Sequence, residues 1–401
     1  MTARQLWTRS LPATLLLMAP FDVLAALGMD IYLPVVPQMP EALATTPAKV
    51  QLTLSLYLLT LGCGQLVFGP LSDRFGRRPV LLAGALLFTL SSAALALAPS
   101  ITPFIVARVA QAAGGAAALV ATFATVRDVY AARGEGTIIY GLFSAILSFV
   151  PAFAPLFGAL LERGVGWRGI FLLLCLLGSL AYMQALWRWP ETAVSTGDRV
   201  RLADLGEILT NAPFWIYTLG QSTAMGAFFV CFSIAPRLLI NRNGLDPVSF
   251  SLVFATIALV MVAMSSFSRH FVAHWGVSGC LTRGMLLLLV GATLLAGSEI
   301  LVRGLWACVA PIWVIAMGIS MAGAVTTNGA LRGFGHVAGT ATAVYSCLES
   351  LLVSLAGTLV VVWLPADSAW PLIVFCSVAA LLTIGVARTG LQCAVGDLGS
   401  D

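Results

Sequence analysis

The stretch LPATLLLMAPFDVLAALGMDIYLP, residues 11 to 34, decides how the chain is read. A membrane span needs about 20 mostly apolar residues at a rise of about 1.5 Å each, and this stretch supplies them. It also carries two acids, Asp22 and Asp30. An ionisable side chain at mid-membrane costs roughly 3 kcal/mol on insertion scales, so it usually pairs or lines a cavity and marks a pathway for ions or solutes. On a helix, the eight-residue spacing sets the two carboxyls about 12 Å apart along the axis and about 80° apart around it. Both then fit one cavity, where a carboxyl group can take up and release protons near neutral pH. A second apolar stretch, ITPFIVARVAQAAGGAAALVATFA (101 to 124), holds Arg108 about seven residues from its start. Snorkelling to an interface is the bland reading of that arginine, and its depth argues against it. An acid beside an arginine makes a natural switch, because protonating the acid frees the arginine. Asp22, Asp30 and Arg108 are therefore the expected proton-coupling set.

Working outward, 59% of the 401 residues are hydrophobic and 9% are charged, against about 25% charged in soluble chains. Twelve candidate spans lie near 11–33, 48–70, 79–98, 101–124, 137–161, 168–188, 212–233, 248–268, 279–298, 304–326, 338–363 and 369–388. Transmembrane β-strands would alternate over about ten residues, and these runs are too long and too uniformly apolar for that. The expected fold is an all-α membrane protein. Fourteen of the 21 basic residues fall in the termini and even-numbered connections, and six in the odd-numbered ones. The positive-inside rule then places both termini in the cytoplasm. The net charge of +4 is no nucleic-acid signature. Arg4 and Arg9 before the first apolar run mimic a signal peptide, but the two acids and eleven further spans make it an uncleaved first helix. Eight cysteines without CxxC spacing read as small packing residues, with no disulfide framework and no metal site.

The polar stretch RWPETAVSTGDRVRLADLGEILTNAP (188–213) splits the spans six and six. This predicts an N-terminal six-helix bundle over 1–189, a central cytoplasmic loop over 190–211 and a C-terminal six-helix bundle over 212–401. The halves echo each other at an offset of 200: GPLSDRFGRR (69–78) follows span two, RHFVAHWGVS (269–278) follows span eight, and Gly76 falls opposite Gly276. Internal repeats of this kind occur in secondary transporters, with the binding site at the repeat interface near the midplane.

The segment GPLSDRFGRRPVLL (69–82) packs Gly69, Asp73, Arg74, Gly76, Arg77 and Arg78 into a tight turn. The glycines allow close turning, and the mixed charges can lock neighbouring helices by charge pairs and helix-end contacts. It resembles the G-x-L-x-D-R-x-G-R-R/K signature of the major facilitator superfamily. The resemblance implies two pseudo-symmetric six-helix bundles and a cytoplasmic gate loop, with Asp128 in ATVRDVY as the partner of Arg77. ARVAQAAGGAAAL (107–119) is similar to that family's R-x-x-Q-G-x-G-x-A: Arg108, Gln111, Gly114 and Ala116 match, and Ala112 departs. SFVPAFAPLFGALL (148–161) partly matches the antiporter signature G-x-x-x-G-P-x-x-G-G through Pro155 and Gly158, with Ala154 and Ala159 departing and Pro151 an added helix breaker. MDIYLPVVP (29–37) resembles the D-x-Y-L-P-x-x-P start of the Bcr/CflA drug-resistance branch, although Pro34 and Pro37 also show the first helix ending beyond Asp30. MAPFDVLAALGMDIYLPVVPQMP, LVATFATVRDVYAARGEGTIIYGLF and TTNGALRGFGHVAGTATAVY resemble bacterial chloramphenicol and florfenicol exporters.

That resemblance implies proton-driven efflux of phenicol antibiotics, which are neutral, so the buried charges serve mainly the protons. The candidate substrate contacts are Tyr57, Gln51, Gln111, Phe228, Phe229, Asn328 and Glu349. Glu349 departs from the family pattern; it faces the cavity or pairs with Arg332. Glu299 is expected at an interface, and His270 and His274 in a solvated loop. The partners expected are a small neutral drug, protons and the lipid bilayer, with no nucleic acid; the protein is expected to be a monomer in the bacterial cytoplasmic (inner) membrane. No cofactor is expected beyond the proton gradient, since no G-x-x-x-x-G-K-[ST] motif occurs, and no catalytic constellation marks an enzyme. The competing readings are an exporter of other drugs, an importer of a small metabolite on the same fold, and, ranked lowest, a channel.

Overall fold

The computed structural model describes residues 7, 10–130, 135–193, 202–301, 304–365 and 367–396. Twelve of its helices are long and apolar enough to cross a membrane. In chain order they are α1 (Leu11–Asp30), α2 (Pro47–Phe75), α3 (Arg77–Leu97), α4 (Ile101–Tyr130), α5 (Glu135–Val165), α6 (Trp167–Arg188), α7 (Ala212–Pro236), α8 (Pro247–Ser266), α9 (Ser268–Leu301), α10 (Leu305–Leu331), α11 (Ala338–Trp363) and α12 (Trp370–Gly396). In hydrocarbon every backbone polar group must be satisfied within the segment, which is why apolar runs of this length are helical. The ends are signalled locally. Asn211 accepts from the Phe214 amide at 2.9 Å, and Asp246 caps α8 through the amides of Val248 and Ser249. In both helices a proline occupies the first turn, where its missing N–H costs nothing.

The chain divides into two compact units, Met1–Arg199 and Val200–Asp401. In the first unit α3 and α4 approach most closely through glycines. A Cβ on Gly84 would stand 2.7 Å from the Gly114 carbonyl oxygen, and one on Gly114 would stand 2.5 Å from the Phe88 amide nitrogen. In the second unit the same contact is made by Gly284 of α9 and Gly318 of α10, where a Cβ on Gly318 would stand 2.7 Å from the Gly284 carbonyl oxygen. Small residues give membrane helices backbone-to-backbone packing in place of a hydrophobic driving force. Exposed leucines such as Leu351, Leu355 and Leu359 line the opposite side of α11, as suits a lipid-facing stripe.

Two expected loops prove to be mostly helix. Gly69 to Phe75 continue α2, Arg77 opens α3, and Gly76 alone lies between them with φ 100°. After α8, residues 268–275 are helical and the break comes at Gly276, φ 66°. His270 and His274 lie on this helical piece, exposed, with ring centroids 4.7 Å apart. Pro151 and Pro155 lie inside α5, which runs on through both. A 3-10 helix over Leu33–Gln38 follows α1, so Asp30 is the last residue of its helix.

Candidate functional site

In the first unit the polar centre is built around Arg108 on α4. Its side chain is fully buried. One Nη1 donates to the carbonyl oxygen of Gly28 at 2.7 Å and to Gln111 Oε1 at 2.8 Å. Gln111 in turn donates to Ser92 Oγ at 2.8 Å, and Ser92 to the Phe88 carbonyl at 2.7 Å. The guanidinium lies 4.3 Å above the ring of Tyr57 and 5.2 Å from that of Tyr32. Rings within about 6 Å attract a desolvated cation through their quadrupole by about 2 kcal/mol. The Tyr57 hydroxyl donates to the Ala25 carbonyl at 2.7 Å. A chain of donors and rings from α2, α3 and α4 thus holds Arg108 against the last two turns of α1.

Neither acid of α1 forms an ion pair with Arg108 within 4 Å among the described residues. Arg108 reaches α1 through a backbone carbonyl, where a direct acid–arginine pair is the simpler expectation. Asp22 is 2% exposed, and neither of its carboxyl oxygens has a hydrogen-bond partner. Arg108 keeps Nε and Nη2 equally unused. A buried polar group without a partner costs roughly 1–3 kcal/mol or more, so the unsatisfied acceptors of Asp22 and the unused donors of Arg108 each suit a group that changes protonation or partner. Asp30 is also buried, at the α1 terminus. Gly158 of α5 packs against the Ile31 carbonyl, the next residue along; a Cβ there would overlap that oxygen. The structure thus sets the glycine of the antiporter-like motif against the end of α1.

The α2–α3 turn forms a second centre. Arg77 donates through Nε to Asp128 at 2.8 Å, and through Nη1 to Asp73 at 2.5 Å and Ser72 at 3.2 Å. Arg78 donates to the Leu186 carbonyl at 2.8 Å. Arg74 is exposed beside the Phe75 ring, and Gly69 has open space around it. Glu191 was not among the expected site residues. Its carboxylate accepts the backbone amides of Arg77 and Arg78 at 2.8 and 3.1 Å, together with those of Thr192 and Ala193. The first turn of α3 holds no acid of its own, so its unsatisfied amides and positive dipole end are met by an acid from the chain after α6. A Cβ on Gly76 would stand 2.5 Å from Glu191 Oε2, so the turn needs glycine for space as well as for φ. The acid-free first turn, with PET just past α6, was the available signal.

The remaining candidates scatter. Gln51 and Tyr57 are buried on α2, Tyr57 beneath Arg108. Phe229 packs against Gly357 of α11, Phe228 lies 6.1 Å from Phe232, and Asn328 is exposed on α10. Glu299 pairs with Arg242 at 2.6 Å. Glu349 does not pair with Arg332; its Oε1 accepts from Gln221 Nε2 at 3.2 Å, and Gln221 Oε1 accepts from Thr326.

Against known proteins, the model of the Major Facilitator Superfamily matches residues 21–358. A "Chloramphenicol resistance protein" of Pseudomonas aeruginosa is 48% identical over 389 residues, covering 96% of this chain and 91% of that protein. "Multidrug resistance protein D" of Escherichia coli (strain K12) is 28% identical, covering 84% of this chain and 85% of that protein. Among solved structures, a D-xylose-proton symporter superposes with a TM-score of 0.70 at 16% identity, covering 93% of this chain and 97% of the other.

Proposed function

Given that the chain belongs to the Major Facilitator Superfamily, we propose that it exports phenicol antibiotics, chloramphenicol and florfenicol, across the bacterial inner membrane in exchange for protons, and so confers resistance. The single observation carrying the substrate is the 48% identity, over nearly the whole of both chains, to a chloramphenicol resistance protein. The proton side draws support from the first unit. Asp22 is a buried acid without a partner, on the same helix whose Gly28 carbonyl holds Arg108. An unpartnered carboxylate at that depth is costly, and protonation removes the charge. Asp22 and Asp30 take up the proton, and Arg108 exchanges the Gly28 carbonyl and Gln111 for a deprotonated acid when the proton leaves. The drug is neutral, so it competes with the proton by occupying the conformation that the deprotonated acid favours and protonation disfavours. Alternating access follows from that competition.

The α2–α3 turn lies on the cytoplasmic side with both termini. There Arg77, Asp73, Asp128 and Glu191 hold one of the two access states closed by tying α2, α3, α4 and the chain after α6 together. The protein works as a monomer, needs no cofactor and draws its energy from the proton gradient. The test is accumulation of labelled chloramphenicol in energised inside-out vesicles. Uptake above that of vesicles lacking the protein, abolished by a protonophore, supports the proposal; uptake equal to the control, with folded protein present, contradicts it.

A further inference from the structure

The turn between α8 and α9 echoes the α2–α3 turn without its acids. In the first unit Arg77 meets Asp73 and Asp128, and Glu191 holds the start of α3. RHFVAHWGVS (269–278) contains no acid. Neither Arg269 nor Arg283, two turns past the break at Gly276, pairs with a carboxylate among the described residues. Arg283 is nonetheless held in place. Its Nη1 donates to the Gly279 carbonyl of its own helix at 3.3 Å, and its guanidinium lies 4.6 Å from the Trp275 ring. That ring stacks on Phe271 at 5.3 Å with the planes 4° apart. The fold therefore orients an exposed cation and supplies no anion for it.

The same three side chains form the mouth of an apolar groove of about 340 Å³. Met264 of α8 and Leu286 and Val290 of α9 line it, and the buried Met321 of α10 closes its floor. Arg283 and Val290 are seven residues apart, so the groove follows α9 for about 10 Å from the end of the span toward its middle. Leu286, Val290 and Leu294 form an exposed apolar stripe, so the groove opens toward lipid. Tryptophan rings mark the head-group level of a bilayer, and basic pockets between spans at that level attract anionic head groups.

We propose that this groove seats an acyl chain of an anionic phospholipid whose phosphodiester rests on Arg283. The planar guanidinium matches phosphate oxygens, and Arg269, exposed on the same helical piece, adds a second positive charge. A zwitterionic head group brings its own cation to a place already rich in positive charge. A free phosphate leaves the groove below the arginine unfilled. The positive-inside rule puts this turn on the cytoplasmic face, so the lipid belongs to the inner leaflet. The inference does not depend on which solute is exported.

The experiment measures, by native mass spectrometry of the purified full-length protein, the retention of phosphatidylglycerol and of phosphatidylcholine with the same acyl chains. The wild type is expected to hold phosphatidylglycerol about five-fold more tightly, the contribution of one arginine beside an anionic head group. Arg283→Gln should erase that preference, and Arg283→Lys should keep part of it. Val290→Trp, which fills the groove and leaves the charge, should weaken phosphatidylglycerol retention as well. Arg168→Gln removes a cation that also lies over a tryptophan, 4.3 Å from the Trp167 ring, and should change nothing. Equal retention of the two lipids by the wild type overturns the proposal without need of any variant. So does a preference that survives Arg283→Gln, or one that Arg168→Gln lowers equally, which would make it a property of net charge. Displacement of the lipid by inorganic phosphate or by chloramphenicol would give the site to a free anion or to the drug, and either result overturns it.

Discussion

Arg108 donates to the carbonyl oxygen of Gly28 at 2.7 Å, across 80 residues of sequence. The contact fastens α4 to the turn of α1 that ends at Asp30. Gly28 is held on its other side as well, since a Cβ there would stand 2.5 Å from the Tyr57 hydroxyl. The guanidinium donates from a single nitrogen, Nη1, to both that carbonyl and Gln111 while lying over two rings. A lysine ammonium lacks the flat face that lies on those rings. Arg108→Lys is therefore expected to lower drug export at least ten-fold with protein still in the membrane, read by drug accumulation in vesicles normalised to protein.

Asp22 and Asp30 are each expected to be required. Asp22→Asn and Asp30→Asn keep the volume and remove the titration, so resistance in cells should fall to that of the empty vector while membrane levels hold. Undiminished resistance in both would remove α1 from the coupling.

Arg77 and Asp128 meet at 2.8 Å, with the Arg77 side chain 5% exposed and the Asp128 side chain 13% exposed. Breaking one partner of a largely buried pair costs about 3–5 kcal/mol, because the other charge is stranded. Arg77→Asp and Asp128→Arg should each impair export, and the double exchange should recover part of it. Recovery no better than either single variant would argue against the pair as a gate.

Glu191 holds the amides at the start of α3, a capping contact of about 1 kcal/mol, somewhat more for a charged acceptor. Glu191→Gln is expected to lower the melting temperature by a few degrees. Gly76→Ala should cost more, since at φ 100° it adds backbone strain of roughly 1–3 kcal/mol to the clash with Glu191. Thermal unfolding in detergent orders the two.

Gly158 lies against the Ile31 carbonyl with no room for a methyl group. Gly158→Ala should displace the end of α1 beside Asp30 and lower export at least ten-fold; unaltered export would show that α5 tolerates the shift.

The twelve spans were legible because apolar runs of membrane length admit one structure. The glycine echo between 76 and 276 was legible as spacing, and both positions take positive φ. The matching contacts of Gly84 with Gly114 and of Gly284 with Gly318 were not, since close packing depends on what lies opposite and sequence spacing does not report it. Asp22, Asp30 and Arg108 stood out because charge is costly in an apolar run. Their partners did not: Arg108 chose a backbone carbonyl, which every residue carries and no sequence distinguishes. Glu191 was hidden for the related reason that a helix start can be capped by an acid more than a hundred residues away.

The most direct test of proton-coupled drug export follows the proton itself. Inside-out vesicles carrying the protein are energised, and chloramphenicol is added while the internal pH is recorded. Drug-triggered alkalinisation of the lumen, present in the wild type and absent in Asp22→Asn, is the predicted result. Saturable drug movement with no change in luminal pH would contradict the account.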